Sequence, residues 1–433
     1  MSDKEKLDSW KEIARHLKRD VRTCQRWEKE LGLPVHRLEG TSRPRVFAYT
    51  EEINTWIKKK HAHCFEKHGP GGTAARLKFL GIAALAIFIT ALFLVFMPIT
   101  RPGFPIDFKI EGSKLVMLDG EGRELWEFDT GLSNLADEEF YRSHFPSKRL
   151  TLGATVNQPY LLIEDVNADG SPEVLFSIQT RDEMREGILF CFSSRGKTLW
   201  SFDAGRRLVF GDTEYSSAYR IHGLRSEDWD NDGHKEVLCV AKHAYRFPCR
   251  VMLLDHLGDI RGEYCHSGYL VDYEFIDLEN DGRKEIVLAG MNNEWRAACC
   301  AVLDPGAMKG ASFQIDPEYT CRNMERGTEK HYLLFPSSSV PAPKGMKPCI
   351  RHMEFSDKDR RMTLSTAPPP LIFDLNYDME LTALTLTHAF KNAYHIWSPS
   401  KRPRPSLEEI RHELIDEGIL YLSGEKWRTT PSP

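Results

Sequence analysis

An uninterrupted apolar run, residues 79–100, constrains this chain more than any other feature. The run contains no charged side chain, and Lys78 and Arg101 border it. At about 1.5 Å per residue, a helix of this length crosses a bilayer core of roughly 30 Å. We therefore predict a single transmembrane helix over residues 79–100. A buried core helix is the alternative, although the run exceeds the usual core-helix length, and its start at Phe79 disfavours a cleaved signal peptide.

Charge differs sharply on the two sides of this run. Residues 1–78 hold 18 Lys and Arg against 11 Asp and Glu, a net charge of +7, whereas residues 79–433 hold 40 against 52, a net charge of −12. Residues 58–78 hold six Lys and Arg, whereas residues 101–121, an equal length after the run, hold three. The positive-inside rule then places the N-terminus in the cytoplasm. We expect a single-pass protein of the cytoplasmic (inner) membrane with an extracytoplasmic C-terminal region, and a basic linker at residues 61–78.

The segment before the linker has the signals of a small helical module. Ser9 and Glu12 form a capping box that opens a helix, and Lys18 to Asp20 make a turn into a second helix, Val21 to Leu31. Residues 34–49 read as a β-hairpin, and a third helix begins at Thr50. A helix, a short turn and a helix with exposed Arg and Gln is a geometry that enters the major groove of DNA.

Residues 7–58 resemble winged helix-turn-helix domains of the MerR/excisionase type. The matching strings are Ser-Trp-Lys-Glu-Ile-Ala from Ser9, Val-Arg-Thr-Cys-Gln-Arg-Trp-Glu from Val21 and Leu-Pro-Val-His-Arg from Leu33. The resemblance implies that the second helix and the hairpin contact DNA, through Arg22, Thr23, Gln25, Arg26, Lys29, Arg37, Arg43 and Arg45. One small module binds weakly, so we expect a homodimer on paired half-sites. The alternative is a module whose charges are an ordinary solvated face or serve protein contacts.

After the apolar run, three segments of the same length share the pattern D-x-[D/N/E]-x-D-G-x-x-E, and each leads into an apolar strand. They are residues 165–173, 228–236 and 277–285, called loops 1, 2 and 3 below. Oxygen-bearing side chains at positions 1, 3, 5 and 9 can converge on one hard cation, and Gly at position 6 permits the sharp turn. A helix-flanked EF-hand is excluded, because its Glu lies at position 12 and a strand follows here.

A second repeat accompanies the loops. Hairpins of the form apolar-apolar-[D/S]-x-x-Gly occur at Leu118, Phe192 and Leu254, with a looser copy at Leu303. Each loop precedes its hairpin by a nearly constant offset, from position 165 to 192, from 228 to 254 and from 277 to 303. A constant offset marks a repeated unit, and units rich in short strands are typical of propeller blades.

The loops and hairpins resemble FG-GAP/VCBS-type repeats, which also form the integrin α-chain head. This resemblance implies a β-propeller and up to three Ca²⁺ sites. Their ligands would be Asp165, Asn167, Asp169 and Glu173; Asp228, Asp230, Asp232 and Glu236; and Asp277, Glu279, Asp281 and Glu285. Loop 3 departs from the pattern, because Glu279 has a longer side chain than the usual position-3 residue. The alternative is three Asp/Gly turns that bear surface charge and bind no metal.

The expected fold class is multidomain: a small α(+β) winged helix-turn-helix, one transmembrane helix, and an all-β propeller-like ectodomain with a short C-terminal helix. The domains span residues 1–60, 79–100, 101–395 and 396–433, and Ser406 and Glu409 form a capping box for the last helix. We also expect residues 371–378 to complete the first blade and close the ring. A Cys249–Cys265 disulfide is possible, although buried free thiols are favoured.

No nucleophile, zinc-protease or phosphate-loop motif is present in the sequence, so we expect no enzymatic activity. These features together predict a membrane-tethered DNA-binding transcriptional regulator whose extracytoplasmic propeller binds calcium and senses an unknown ligand or protein. The alternative is a cell-surface adhesion or scaffold protein whose N-terminal module is a cytoplasmic docking domain.

Overall fold

The computed structural model describes residues 6–38, 45–63, 103–144, 158–181, 187–244, 247–397 and 404–431. The chain divides into two compact units, Met1–Ile99 and Thr100–Pro433. Within the described segments, no helix has both the length and the apolar character needed to cross a bilayer. The predicted transmembrane run, residues 79–100, lies outside those segments.

In its described residues, 6–38 and 45–63, the first unit has three helices and one small sheet. The helices are α1 (Trp10–Leu17), α2 (Val21–Leu31) and α3 (Thr50–His63), and the strands β1 (Lys6–Leu7), β2 (His36–Leu38) and β3 (Arg45–Tyr49) form a sheet in the order β1-β3-β2. The predicted helix signals are confirmed. Ser9 accepts a hydrogen bond from the Glu12 N–H, Asp20 caps α2, and Gly32 ends α2 with a left-handed φ of 67°. Ile13, Cys24 and Ile53 are fully buried in the core that unites the three helices.

The second unit is mostly β and consists of consecutive antiparallel meanders. Its first three sheets contain β4 (Asp107–Glu111), β5 (Lys114–Leu118) and β6 (Glu124–Asp129); β7 (Leu161–Glu164), β8 (Glu173–Ser177), β9 (Ile188–Phe192) and β10 (Thr198–Asp203); and β13 (Tyr219–Glu227), β14 (Glu236–His243), β15 (Cys249–Leu254) and β16 (Ile260–His266). A short hairpin of β11 (Leu208–Phe210) and β12 (Thr213–Tyr215) lies between the second and third sheets in the sequence.

The fourth and fifth sheets complete the series in the part of the chain that the structure describes. They contain β17 (Gly268–Ile276), β18 (Glu285–Asn292), β19 (Ala297–Leu303) and β20 (Glu329–Leu334), then β21 (Cys349–Ser356), β22 (Arg361–Ala367), β23 (Leu371–Asn376) and β24 (Leu381–Leu386). The fourth sheet continues through β25 (Leu420–Ser423) and β26 (Lys426–Arg428). The helices are α4 (Glu138–Ser143), α5 (His388–Ile396) and α6 (Leu407–Glu417), with 3₁₀ turns at Pro305–Ala307 and Pro317–Tyr319.

Consecutive sheets pack face to face through shared apolar cores. On β18, Val287 joins a core that includes Phe373 of the fifth sheet, whereas Leu288 joins a core that includes Leu238 of the third sheet. Successive side chains of a strand point to opposite faces, so a strand covered on both faces is apolar throughout. β14 is accordingly buried over its whole length, and β18 is buried at every residue except Met291. This face-to-face series of antiparallel meanders is a propeller-like arrangement.

One of the sequence expectations needs correction. Residues 371–376 form β23, which pairs with β22 on one side and β24 on the other, so they do not complete the first sheet. The favoured expectation of buried free thiols is confirmed for Cys249 and Cys265, which lie on opposite faces of the third sheet, in different cores. The predicted C-terminal helix is confirmed as α6, with its Ser406–Glu409 capping box in place.

Candidate metal loops and candidate nucleic-acid interface

The exposed face of α2 gathers four of the predicted DNA-contacting side chains. Arg22, Gln25, Arg26 and Lys29 are all exposed, and their spacing of three and four residues places them on one side of the helix, away from buried Cys24. Among the described residues, Arg22, Gln25 and Lys29 have no side-chain partner, and Arg26 makes only a 4.0 Å ion pair with Glu30. Guanidinium, amide and ammonium donors thus project together into solvent.

The other predicted contacts have different roles. The Thr23 hydroxyl donates to the Asp20 carboxylate at 2.7 Å, so it belongs to the helix cap, and these hydrogen bonds hold the pKa of Asp20 below its usual value. Arg37 makes two parallel hydrogen bonds, 2.6 and 3.0 Å, to Glu28 on α2. Arg43 and the side chain of Arg45 lie outside the described residues. Arg37 therefore fixes the β-hairpin to α2 as well as adding charge.

The three Asp loops share one backbone conformation. The position-1 carboxylate accepts hydrogen bonds of 2.8–3.2 Å from the N–H groups at positions 5 and 6. The position-5 carboxylate accepts one of 2.8–2.9 Å from the N–H at position 7. Position 4 is left-handed in every loop, with φ of 57–60°, and the position-6 Gly has φ of 84–94°. The sequence pattern therefore corresponds to one recurring turn.

Loop 2 brings three carboxylates into one cluster. Oxygen atoms of Asp228, Asp230 and Asp232 lie within 4.8 Å of one another. Glu236, at position 9, is 7% exposed, and its Oε2 atom has no hydrogen-bond partner among the described residues. Burial, followed by the charges of Asp230 and Asp232, raises the pKa of Glu236 to about 7. Hard oxygen donors and an unsatisfied buried carboxylate fit Ca²⁺, which takes six to eight such ligands.

Loop 1 satisfies its position-9 carboxylate internally. Glu173 accepts hydrogen bonds from the Val166 N–H and from the Asn167 side-chain amide, both at 3.1 Å. Burial raises the pKa of Glu173. Part of the difference from loop 2 arises at position 3, because Asn can donate a hydrogen bond and Asp230 cannot. The Asn167 amide oxygen accepts from the Asp169 N–H, as Asp230 accepts from the Asp232 N–H in loop 2, so position 3 is oriented alike in both loops and the residues of loop 1 also fit Ca²⁺.

In loop 3, a lysine side chain from another strand lies between two of the loop carboxylates. The Lys330 ammonium lies 2.9 Å from Glu285 at position 9, and it also contacts Glu279 at position 3. The other oxygen of Glu285 accepts from the Leu278 N–H at 3.0 Å. Burial opposes the charge of Lys330, but its hydrogen bonds to the two glutamates outweigh this effect and raise its pKa. As folded, loop 3 does not fit Ca²⁺ as loop 2 does.

Each loop is joined to the next one along the chain. The Lys235 N–H donates to the Val166 carbonyl at 2.9 Å, and its ammonium reaches Glu164 at 2.7 Å. Lys284 repeats both contacts in the following pair, at 3.1 Å to the Trp229 carbonyl and 2.9 Å to Glu227. We did not predict these links from the sequence. The available signal was Lys at position 8 of one loop together with Glu just before position 1 of the preceding loop.

The hairpins of consecutive sheets are joined by tryptophans. The Trp126 indole N–H donates to the Ser194 carbonyl at 3.0 Å, and that of Trp200 donates to the His256 carbonyl at 2.9 Å. Each ring lies on the Gly of the hairpin it contacts. The sequence repeat located these tryptophans but did not predict their partners.

A cavity of about 240 Å³ lies at the strand ends opposite loop 2. Arg220 pairs with Lys242 near the start of β13 and the end of β14, whereas loop 2 connects the other ends of the same two strands. Tyr160 and Tyr269 also line the cavity, and the Lys242 ammonium lies 3.5 Å from the centre of the Tyr269 ring. Nothing in the sequence pattern pointed to this cavity, because its residues come from separate sheets and from the segments between them.

Comparison with known proteins does not identify the chain. No family model and no curated protein matches it. Solved structures that are similar include a protein of unknown function from Bacteroides caccae (12% identity, TM-score 0.27, covering 65% of this chain and 73% of that one). The Dos1 propeller is also similar, with 10% identity and a TM-score of 0.33, covering 63% of this chain and 53% of that one. BBS1N in complex with ARL6DN has 8% identity and a TM-score of 0.25, covering 66% of this chain and 83% of that one. This chain thus spans about half the length of the Dos1 structure. At such TM-scores these likenesses establish neither family nor function.

Proposed function

We propose that this protein is a membrane-tethered DNA-binding transcriptional regulator. The first unit, a winged helix-turn-helix of the MerR/excisionase type, binds DNA in the cytoplasm. Residues 79–100 cross the inner membrane, and the propeller-like unit senses a ligand or protein on the other side. The observation that carries this proposal is the exposed face of α2, where Arg22, Gln25, Arg26 and Lys29 project together from a capped helix.

The chemistry of that face suits a base-pair edge and the phosphate backbone. Arg pairs bidentately with guanine and Gln with adenine, while Lys and Arg neutralise phosphates. The +7 net charge of residues 1–78 supplies the long-range attraction to DNA. The two parallel hydrogen bonds between Arg37 and Glu28 hold the hairpin beside α2, so both elements approach the duplex as one surface.

Calcium has a structural role in this proposal. Loops 1 and 2 hold it through Asp165, Asn167, Asp169 and Glu173, and through Asp228, Asp230, Asp232 and Glu236. Bound Ca²⁺ supplies positive charge to a turn of converging carboxylates. Because Lys235 and Lys284 join consecutive loops, ordering one turn also orders the contact between neighbouring sheets.

The test is a selection of genomic DNA fragments by the purified full chain. Arg22→Ala/Arg26→Ala removes two charges from the α2 face. Lys11→Ala/Arg15→Ala is the matched control, because it removes two exposed charges from α1. We expect a defined site that the control still selects and the α2 variant loses. Equal enrichment by both variants would show that α2 does not read DNA.

Adhesion or scaffolding through the second unit is the competing function. Its supporting observation is the acidic, repeat-built surface with linked loops, which needs no DNA to act. Failure of the full chain to enrich any fragment, even when dimerised by a fused domain, would favour this alternative. Under it, the first unit serves as a cytoplasmic docking module.

A further inference from the structure

The last strand of each of the five meanders skips one residue at the same register. Opposite the end of the third strand of each meander, two consecutive partners on the fourth strand are separated by an unpaired residue. In the first sheet, the corresponding strands are the second and third. The skipped residues are Leu125, Leu199, Arg261, Lys330 and Thr382. Every repeat therefore has a residue equivalent to Lys330, but only the fourth sheet has lysine there.

The neighbouring repeats use this position differently. In the second sheet, Leu199 is 43% exposed. In the third sheet, Arg261 lies 2.6 Å from Asp255 in the hairpin, and it makes no ion pair with loop 2 among the described residues. Among these described positions, Lys330 alone forms ion pairs with the Asp loop of its own repeat.

Lys330 contacts the two carboxylates that a loop cation would have to share. Glu279 and Glu285 are at positions 3 and 9 of loop 3, and the corresponding residues of loop 2 are Asp230 and Glu236. The buried Oε2 atom of Glu236 has no partner among the described residues, whereas Glu285 is satisfied on both oxygens. An ammonium and a Ca²⁺ ion cannot occupy the same small space, and their charges repel.

We propose that Lys330 is a built-in cation that closes loop 3 to calcium, so that three loops of one sequence pattern differ in metal occupancy. Loop 2 is the open site, and loop 3 is held in the same turn without metal. The repeat next to the C-terminal strands β25 and β26 thereby keeps its conformation at any calcium concentration. The comparison with loop 2 rests on the proposed calcium binding, but the closure of loop 3 is tested separately.

The experiment measures the number of Ca²⁺ ions bound per full chain by calorimetric titration with Ca²⁺ alone. Lys330→Leu installs the residue that the second sheet carries at this register, and Lys330→Arg keeps a cation. We expect Lys330→Leu to bind one more Ca²⁺ than the natural chain, and Lys330→Arg to bind the same number. Asp277→Asn added to Lys330→Leu should remove the extra ion. The extra ion should also raise the thermal unfolding temperature of Lys330→Leu but not of the double variant.

A second comparison does not depend on the folding of Lys330→Leu. Asp277→Asn in the natural chain should leave the number of bound Ca²⁺ ions unchanged. Loss of one ion there would overturn the proposal, as would a folded Lys330→Leu that gains none. If the natural chain binds no Ca²⁺ and Lys330→Leu binds one, the closure by Lys330 stands while the proposed sites in loops 1 and 2 fail.

Discussion

The contact between Trp200 and the hairpin of the next sheet makes a quantitative prediction about Gly258. This Gly has a left-handed φ of 86°, and a Cβ atom added to it would lie 2.7 Å from Trp200 Cδ2. Gly122 holds the same place in the first hairpin, with a φ of 74°, and an added Cβ there would meet nothing within 4 Å. Gly122→Ala and Gly258→Ala thus impose similar backbone strain, but only the second collides with a ring.

The two substitutions should differ by the energy of that collision. A left-handed conformation costs an L-residue about 1–2 kcal/mol, and this applies to both positions. Overpacking typically costs about 1–3 kcal/mol more. Displacing the ring also weakens its 2.9 Å hydrogen bond to the His256 carbonyl. A hydrogen bond of this kind contributes about 1 kcal/mol to the free energy of unfolding. We expect Gly258→Ala to lower the free energy of unfolding by about 2–6 kcal/mol, against about 1–2 kcal/mol for Gly122→Ala.

Urea denaturation of the full chain, followed by the far-ultraviolet circular dichroism of its β structure, provides the measurement. A double-mutant cycle isolates the contact, because in a Trp200→Leu background Gly258→Ala should cost only the backbone strain. Equal losses for Gly122→Ala and Gly258→Ala, or no coupling between Trp200 and Gly258, would refute the view that the indole contact joins the two sheets.

Three further predictions concern buried charge and metal. Asp228→Asn should weaken Ca²⁺ binding at least tenfold, since a neutral amide replaces one of the carboxylates in loop 2. Titration of the full chain with Ca²⁺ measures this affinity, and an unchanged value would argue against a metal in loop 2. The Asp272 carboxylate accepts hydrogen bonds from Gln158 and from the Met353 N–H, each at 2.7 Å. Asp272→Asn should therefore lower the free energy of unfolding, measured by urea denaturation, by about 1–3 kcal/mol. The reason is that the NH₂ group of Asn, itself a donor, would face one of these two donors. The Asp272 carboxylate, 3.6 Å from His352 Nδ1, and then the hydrogen bond of His352 with Glu354 raise the pKa of this buried histidine. The stabilisation from protonated His352 is complete below about pH 6.5 and declines as the pH rises through the elevated folded-state pKa. The free energy of unfolding, measured by urea denaturation over this pH range, should therefore depend less on pH in His352→Gln.

Local features of the fold were predictable from sequence. Helix α2 begins and ends where Asp20 and Gly32 indicated, because a cap and a left-handed Gly act within a few residues of the chain. The Asp loops form the expected turn for the same reason, since their hydrogen bonds join residues at most five positions apart.

Pairings between distant segments were harder to predict. Residues 371–376 resembled part of an Asp loop, yet they form the central strand β23 of a separate fifth sheet. The sequence showed the apolar character of that segment but not its partners, because strand pairing depends on which edges are available in space.

The sequence by itself determined where the turns, caps and repeats of this protein lie, because those features arise from backbone conformation and short-range hydrogen bonding. It also determined the charge of the α2 face, since helical periodicity places Arg22 and Lys29 on one side. Only the tertiary structure decided what each repeated position contacts. Lys330 is far from Glu285 in the sequence, and their contact exists because β18, β19 and β20 are adjacent in one sheet. Three loops with nearly the same sequence consequently have different electrostatic surroundings, because the field at each loop comes from side chains that folding brings together.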